Sequence, residues 1–174
     1  HTKPVTNSHN WDWNLEATMV DIGLDCNTAH VQPTGKYHYH GVPKLYLESI
    51  TSNSNEMLHV GWAADGYPIY YANGYSNAND NSSGVKTLSS SYKLKSGDRP
   101  GDGDSAPCGP HTGVYSADYE YVKGLGDLDE CNGREGVTPE FPEGTYYYVI
   151  TNEFPGVPRC FVGTPSSDFK IGSG

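Results

Sequence analysis

The sequence predicts an all-β or β-dominated fold of antiparallel, sandwich-like sheets with long loops and two disulfides. Three observations carry that expectation. Apolar runs are short, of strand rather than helix length, and turn residues separate them. Glycine at 21, proline at 12 and tyrosine at 14 are abundant, while charged residues make up only 18% of the 174; such a turn-rich, aromatic composition does not suit a helix bundle. Four cysteines are spread widely and none forms a C-x-x-C pair, which excludes a zinc ribbon or thioredoxin motif.

Residues 1–13 read as an amino-terminal arm, and residues 14–174 as a single domain. In the arm, Trp11 and Trp13 alternate with Asp12, which places both indoles on one side of an extended segment. The next candidate strands are Thr28–Gln32 and Lys36–His40. Pro33-Thr34-Gly35 joins them as a turn, with proline preset for the first corner and glycine free to take positive φ. The pair reads as a hairpin. Lys44–Thr51, Met57–Trp62 and Pro68–Tyr71 are expected strands, the last entered from an Asp65-Gly66 turn.

Ala72–Ser91 and Ser96–Pro110 are read as loops, rich in Ser, Asn, Gly, Asp and Pro. Strand-like segments resume at Val114–Val122, Thr145–Thr151 and Cys160–Val162, so no linker divides the chain. Aromatic and β-branched content argues against a helix around Ser116–Val122.

A formal charge of −10 opposes binding to phosphate backbones, so nucleic acid is not an expected partner. No stretch approaches the roughly 18 apolar residues of a membrane span. The cysteines point to an oxidising, secreted environment, with any export signal already removed. Loop economy favours pairing Cys108 with Cys131 and Cys26 with Cys160 among the three arrangements available. Asn81-Ser82-Ser83 is a glycosylation sequon inside a polar loop.

The chemistry concentrates in Tyr37-His38-Tyr39-His40. Along a strand alternate residues share a face, so His38 and His40 project together at a spacing of about 6–7 Å and can converge on one cation. His30, across the hairpin, is a third candidate, but a register slip of one residue would turn it to the opposite face. Two buried structural histidines bonded to backbone carbonyls would produce the same pattern. His59, His111 and Asp65 complete the candidate metal residues. The two histidines stand singly, and Asp65 serves either as a turn residue or as a partner to a histidine ligand.

An imidazole-rich site prefers copper or zinc, while the run Asp127, Asp129, Glu130 offers hard oxygens to calcium without EF-hand spacing. No nucleophile elbow or phosphate loop is present, and Glu120 or Glu130 is the candidate general base.

The segments His30-Val31-Gln32-Pro33-Thr34-Gly35-Lys36-Tyr37-His38-Tyr39-His40-Gly41, Val60-Gly61-Trp62-Ala63-Ala64-Asp65-Gly66-Tyr67-Pro68-Ile69-Tyr70 and Leu128-Asp129-Glu130-Cys131-Asn132-Gly133 together resemble the YHYH family. Thr138-Pro139-Glu140-Phe141-Pro142 and Pro158-Arg159-Cys160 extend the likeness. The resemblance implies a secreted domain of largely unassigned activity. The resemblance also implies further strand-forming sequence before the position of Trp11, so that either this chain is a processed or partial product or an edge strand is supplied by another molecule.

Two functions follow. One is an extracellular metal-binding module acting in binding or self-assembly, as a filament or surface structure. The other is a secreted metalloenzyme, a hydrolase or copper oxidoreductase, working through the same histidines.

Overall fold

The computed structural model describes residues 12–53 and 55–169, which contain one α-helix, three short 3₁₀ turns and ten strands. In chain order these are β1 Ala29–Val31, β2 Tyr37–Tyr39, α1 Lys44–Ile50, β3 Leu58–Trp62, β4 Pro68–Tyr71, β5 Asn73–Tyr75, β6 Val85–Thr87, β7 Tyr92–Leu94, β8 Tyr119–Tyr121, β9 Gly133–Gly136 and β10 Thr145–Ile150. They fall into two compact units, His1–Leu45 with Tyr92–Val122 and Tyr46–Ser91 with Lys123–Gly174. The β-dominated expectation holds. No helix among the described residues is long and apolar enough to cross a membrane.

The second unit is organised by a four-stranded sheet in the order β3-β4-β10-β9. Its β4/β10 pair runs parallel and its other two pairs antiparallel, which corrects the purely antiparallel expectation. Strands paired in parallel are usually covered on both faces. Consecutive β10 residues Tyr147 and Tyr148 obey this rule, each fully buried although they project to opposite sides.

On one side Tyr147 and Val149 join Met57, Tyr70, Leu88 and Leu128 in the core. On the other, Tyr148 lies against the rings of Tyr67, Tyr146 and Phe161. Burying a phenol requires a partner for its hydroxyl. Tyr147 accepts from Arg134 Nε at 2.6 Å, Tyr148 donates to Asp65 Oδ2 at 2.6 Å, and Tyr70 is hydrogen-bonded to Thr138 and Glu140.

The Ala72–Ser91 segment is not a loop throughout, since it contains the β5/β6 hairpin. Its polar composition concealed the pairing. Asx turns order the tip, where Asp80 Oδ1 accepts from the Ser82 amide and hydroxyl. Gly74 lies inside β5 because a Cβ there would stand 2.7 Å from Leu88 Cδ1. The predicted strand Cys160–Val162 is also absent. That segment is tethered instead by the Cys131–Cys160 disulfide and by Val162 N donating to the Tyr148 hydroxyl at 2.8 Å.

Lys44–Ile50 is a helix and not the predicted strand. Leu45 and Leu47 mimic strand alternation, yet only Leu47 is buried while Leu45, Tyr46 and Ile50 are exposed. Helical conformation is favoured by Pro43 just before the first turn, by the straight-chain Lys44, Leu45, Leu47 and Glu48, and by Asn27 Oδ1, which accepts from Leu45 N at 2.8 Å.

In the first unit the β1/β2 and β7/β8 pairs are both antiparallel. β7 was not foreseen. The segment read as strand Val114–Val122 is divided into a 3₁₀ turn at Ser116–Asp118 and the shorter β8. Asp118 stands at the centre of this unit, fully buried and paired with Arg99 through two contacts of 2.7 and 2.8 Å. Its Oδ2 also accepts from the Gly113 amide at 2.9 Å. Burial alone would raise the Asp118 pKa, but the Arg99 guanidinium and the surrounding N–H groups hold it below the usual carboxylate value. Trp13 packs edge-on against Tyr115 with ring centroids 5.7 Å apart. Trp11 and the rest of the arm before Asp12 lie outside the described residues.

The pairing of Cys108 with Cys131 and Cys26 with Cys160 is corrected. The structure joins Cys131 to Cys160 and leaves Cys26 and Cys108 as exposed thiols. Loop economy misled because Cys131 and Cys160, 29 residues apart, flank β9 and β10 and are returned to one place by that antiparallel pair. Non-reducing peptide mapping is expected to recover a Cys131–Cys160 peptide, with Cys26 and Cys108 open to maleimide in the native protein. Reduction is expected to lower stability by about 2–4 kcal/mol, the range usual for a loop of this kind.

Asp118→Asn strands a buried guanidinium, and its expected cost is about 3–5 kcal/mol in urea unfolding at pH 7. Because the folded pKa of Asp118 is depressed, its contribution is present at neutral pH and disappears as pH falls through that lowered value. The variant is therefore expected to show a flatter loss of stability in acid than the wild type.

Candidate metal centre

The β1/β2 hairpin is built as its sequence requires. Gly35, at φ +82°, donates its amide to Gln32 O at 2.8 Å and closes the Pro33-Thr34 turn. The resulting register sets Ala29 opposite Tyr39, His30 opposite His38 and Val31 opposite Tyr37. Directly opposed residues share a face. The register left open by the sequence is thus the one that brings His30 onto the side of His38 and His40.

The three imidazoles cluster with ring centroids 4.6–4.9 Å apart. One nitrogen from each lies within 4.8 Å of the others, and this is the sole group of three or more such ligands found among the described residues. The shortest approach is His40 Nε2 to His30 Nε2, at 3.2 Å. Two imidazoles bound to a tetrahedral zinc at about 2.05 Å bring their donor atoms to roughly 3.3 Å. The spacing therefore fits a shared cation without rearranging this pair.

Hydrogen bonds to backbone carbonyls outside the cluster orient two of its rings. His30 Nδ1 stands 3.1 Å from Ile22 O, and a carbonyl only accepts. Nδ1 is therefore the donor in that contact, and Nε2 is the nitrogen turned toward His40. His38 Nδ1 faces Lys36 O at 3.3 Å in the same manner. Burial pushes His40 down to about 4, and the neighbouring His38 and His30 push in the same direction. His40 is neutral at pH 7 and able to act as a ligand.

The other residues anticipated from sequence lie elsewhere. His59 is on β3, its ring against Trp62 and Tyr70, with Nε2 buried and unpartnered. His111 directs Nδ1 to Gly97 O at 2.9 Å. Asp65 follows Ala63-Ala64 in a tight turn and accepts from the Tyr148 hydroxyl and the Gly163 amide, so it latches the 160s segment to the sheet. In the acidic run, Asp127 oxygens are engaged by Lys86 and Ser89, and Asp129 by Tyr146 and the amides of Cys131 and Gly133. Glu120 pairs with Lys93 at 3.3 Å, and Glu130 is exposed.

Sequence reasoning missed the Ile22 and Lys36 carbonyls, because a backbone acceptor has no residue signature.

A family model described as YHYH protein matches residues 1–163. The chain belongs to the YHYH family. No curated protein and no solved structure matches it. The tetrad for which the YHYH family is named supplies two of the three clustered histidines, and the strand opposite supplies the third. Its tyrosines occupy the other face, where Tyr37 and Tyr39 are exposed and meet edge to face at 5.5 Å.

His38→Ala is expected to lower zinc or copper affinity by at least tenfold in calorimetric titration, since each ligand carries a large share of the binding free energy. A His38→Ala, His40→Ala double variant that retained one equivalent of metal would contradict the site. In the metal-free protein, the unfolded chain takes up a proton at His40 near pH 6.5 while the folded chain resists until about 4. Apo stability at this residue is therefore expected to fall as pH drops through that window.

Proposed function

We propose that this chain is an extracellular metal-binding module in which His30, His38 and His40 hold one divalent transition metal, zinc or copper. The observation that carries this reading is the 3.2 Å approach of two imidazole nitrogens on a hairpin whose register also brings up a third. Clustering three imidazoles is costly without something to share, and a cation is the group that suits them all. The Cys131–Cys160 disulfide supports an oxidising, secreted location.

Three protein ligands leave at least one coordination position for an outside group. The module acts through that position, in binding or in self-assembly, with the missing ligand coming from an extracellular partner or from a second copy. Trp13 packs on Tyr115 of its own chain, and the route to assembly favoured here is metal bridging through the histidine cluster.

The same donor set supports a second reading, a zinc hydrolase. Three histidines with an open position lower the pKa of a bound water to about 7.

Elemental analysis of protein secreted from its host is expected to find one zinc or copper per chain. Light scattering at micromolar concentration then separates the roles. Under the assembly reading, mass rises on metal addition and returns to that of the monomer with chelator. A metal-loaded protein that remains monomeric would remove self-assembly while leaving the binding of other partners. A wild-type protein without metal affinity would end both readings.

A further inference from the structure

Two of the segments that carry the family likeness, Val60–Tyr70 and Thr138–Pro142, take no part in the metal centre. They meet in the second unit. On a regular strand residues three apart project to opposite sides, yet the irregularity between His59 and Gly61 sets His59 opposite Tyr70 and Trp62 opposite Pro68. Pro68 and Tyr70 share a face, so His59 and Trp62 do too, with ring centroids 5.0 Å apart at 75°. Trp62 remains 58% exposed.

The turn Thr138–Phe141 stands against this pair. Thr138 and Phe141 exchange backbone hydrogen bonds of 3.1 and 3.2 Å, and the Phe141 ring meets the Trp62 indole at 6.0 Å and 84°. Glu140, exposed on the same turn, accepts from the Tyr70 hydroxyl at Oε2, 2.7 Å away. Tyr70 in turn packs against His59 at 5.4 Å. Trp62, Phe141, Glu140, Tyr70 and His59 thus close a circuit of contacts, in which two aromatic walls stand nearly at right angles and one carboxylate is tied in place on the turn that carries the second wall.

We propose that Trp62, Phe141 and Glu140 bind a small quaternary ammonium cation, held between the two rings with its charge toward the carboxylate. Aromatic faces are the negative part of the ring quadrupole, and indole attracts cations most strongly. A quaternary ammonium has no N–H, so it leaves the hydrogen bond between Tyr70 and Glu140 undisturbed. Its rounded methyl surface suits two perpendicular walls, where a flat sugar ring needs an open platform. The formal charge of −10 raises the local concentration of any cation. His59, whose Nε2 is buried without a hydrogen-bond partner, contributes packing against the indole.

Choline and its neutral isostere, in which a tert-butyl group replaces the trimethylammonium, test this in the full chain. Chelator is kept present, so the histidine cluster takes no part and the result is independent of the metal-binding reading. Choline is expected to shift the Trp62 indole N–H resonance saturably, that signal being assigned by its loss in Trp62→Phe. The neutral isostere is expected to bind roughly 3–30-fold more weakly, the span of a cation–π contact from exposed to desolvated. Glu140→Gln keeps an acceptor for the Tyr70 hydroxyl and is expected to weaken choline about two- to fivefold while leaving the isostere unchanged. Equal affinity for the two ligands in the wild type would overturn the proposal, as would the absence of a saturable shift with millimolar choline. Phosphocholine binding more tightly than choline would also overturn it, since that ligand sets a phosphate against Glu140. The comparison of the ligands needs no variant, so it decides the matter even where Glu140→Gln fails to fold.

Discussion

A phenol enters a protein interior only with a partner for its hydroxyl, and the second unit is arranged around that requirement. Tyr70, Tyr147 and Tyr148 are all buried on the two central strands of the sheet. Each engages a polar partner outside its own strand, Glu140 and Thr138, Arg134 on the neighbouring β9, and Asp65 respectively. Arg134 in turn donates to Tyr75 O at 2.6 Å, and Asp65 accepts from the Gly163 amide. Polar partners that would be scattered loop residues in another fold become fixed points here. Tyrosine-rich strands thus supply contact area and, through their hydroxyls, the specificity of their own surroundings.

The first unit solves a comparable problem with ions. The Arg99–Asp118 pair sits where side-chain exposure is 7% and 0%, and three backbone amides converge on the same carboxylate. Such a pair adds little net stability relative to an apolar core, but it penalises any arrangement that separates its members. The loop of Gly, Asp and Pro residues before Pro110 and the turn before β8 are held together by it. The histidine hairpin belongs to this unit, so its imidazoles are presented on a short pair of strands within a framework fixed by buried charge.

Much of this was legible in the sequence. Pro68–Tyr71, Thr145–Ile150 and the β1/β2 hairpin were readable because alternation, β-branched or aromatic content and turn residues agreed. The shared face of His38 and His40 followed from strand geometry alone. His30 could not be assigned, since one residue of register decides its face and a turn must be seen to close before that register is known. Lys44–Ile50 was misread because seven residues are too few for periods of 2 and 3.6 to separate when only Leu47 is buried. β5, β6 and β9 were hidden by glycine and polar residues, whose strand conformation is imposed by their neighbours. The disulfide was misassigned because sequence distance does not report which strands pair.

The bulge between His59 and Gly61 changes how the molecule meets other chains. β3 is the last strand of its sheet, and pairing with β4 runs from Leu58 and His59 to Gly61 and Trp62 with Val60 left over. A bulge rotates the donors and acceptors on the strand's outer side out of line. An incoming strand would find two aligned residues, then a break, then two more. Fibrillar stacking needs a longer straight template, so this irregularity acts as a safeguard against runaway edge-to-edge aggregation.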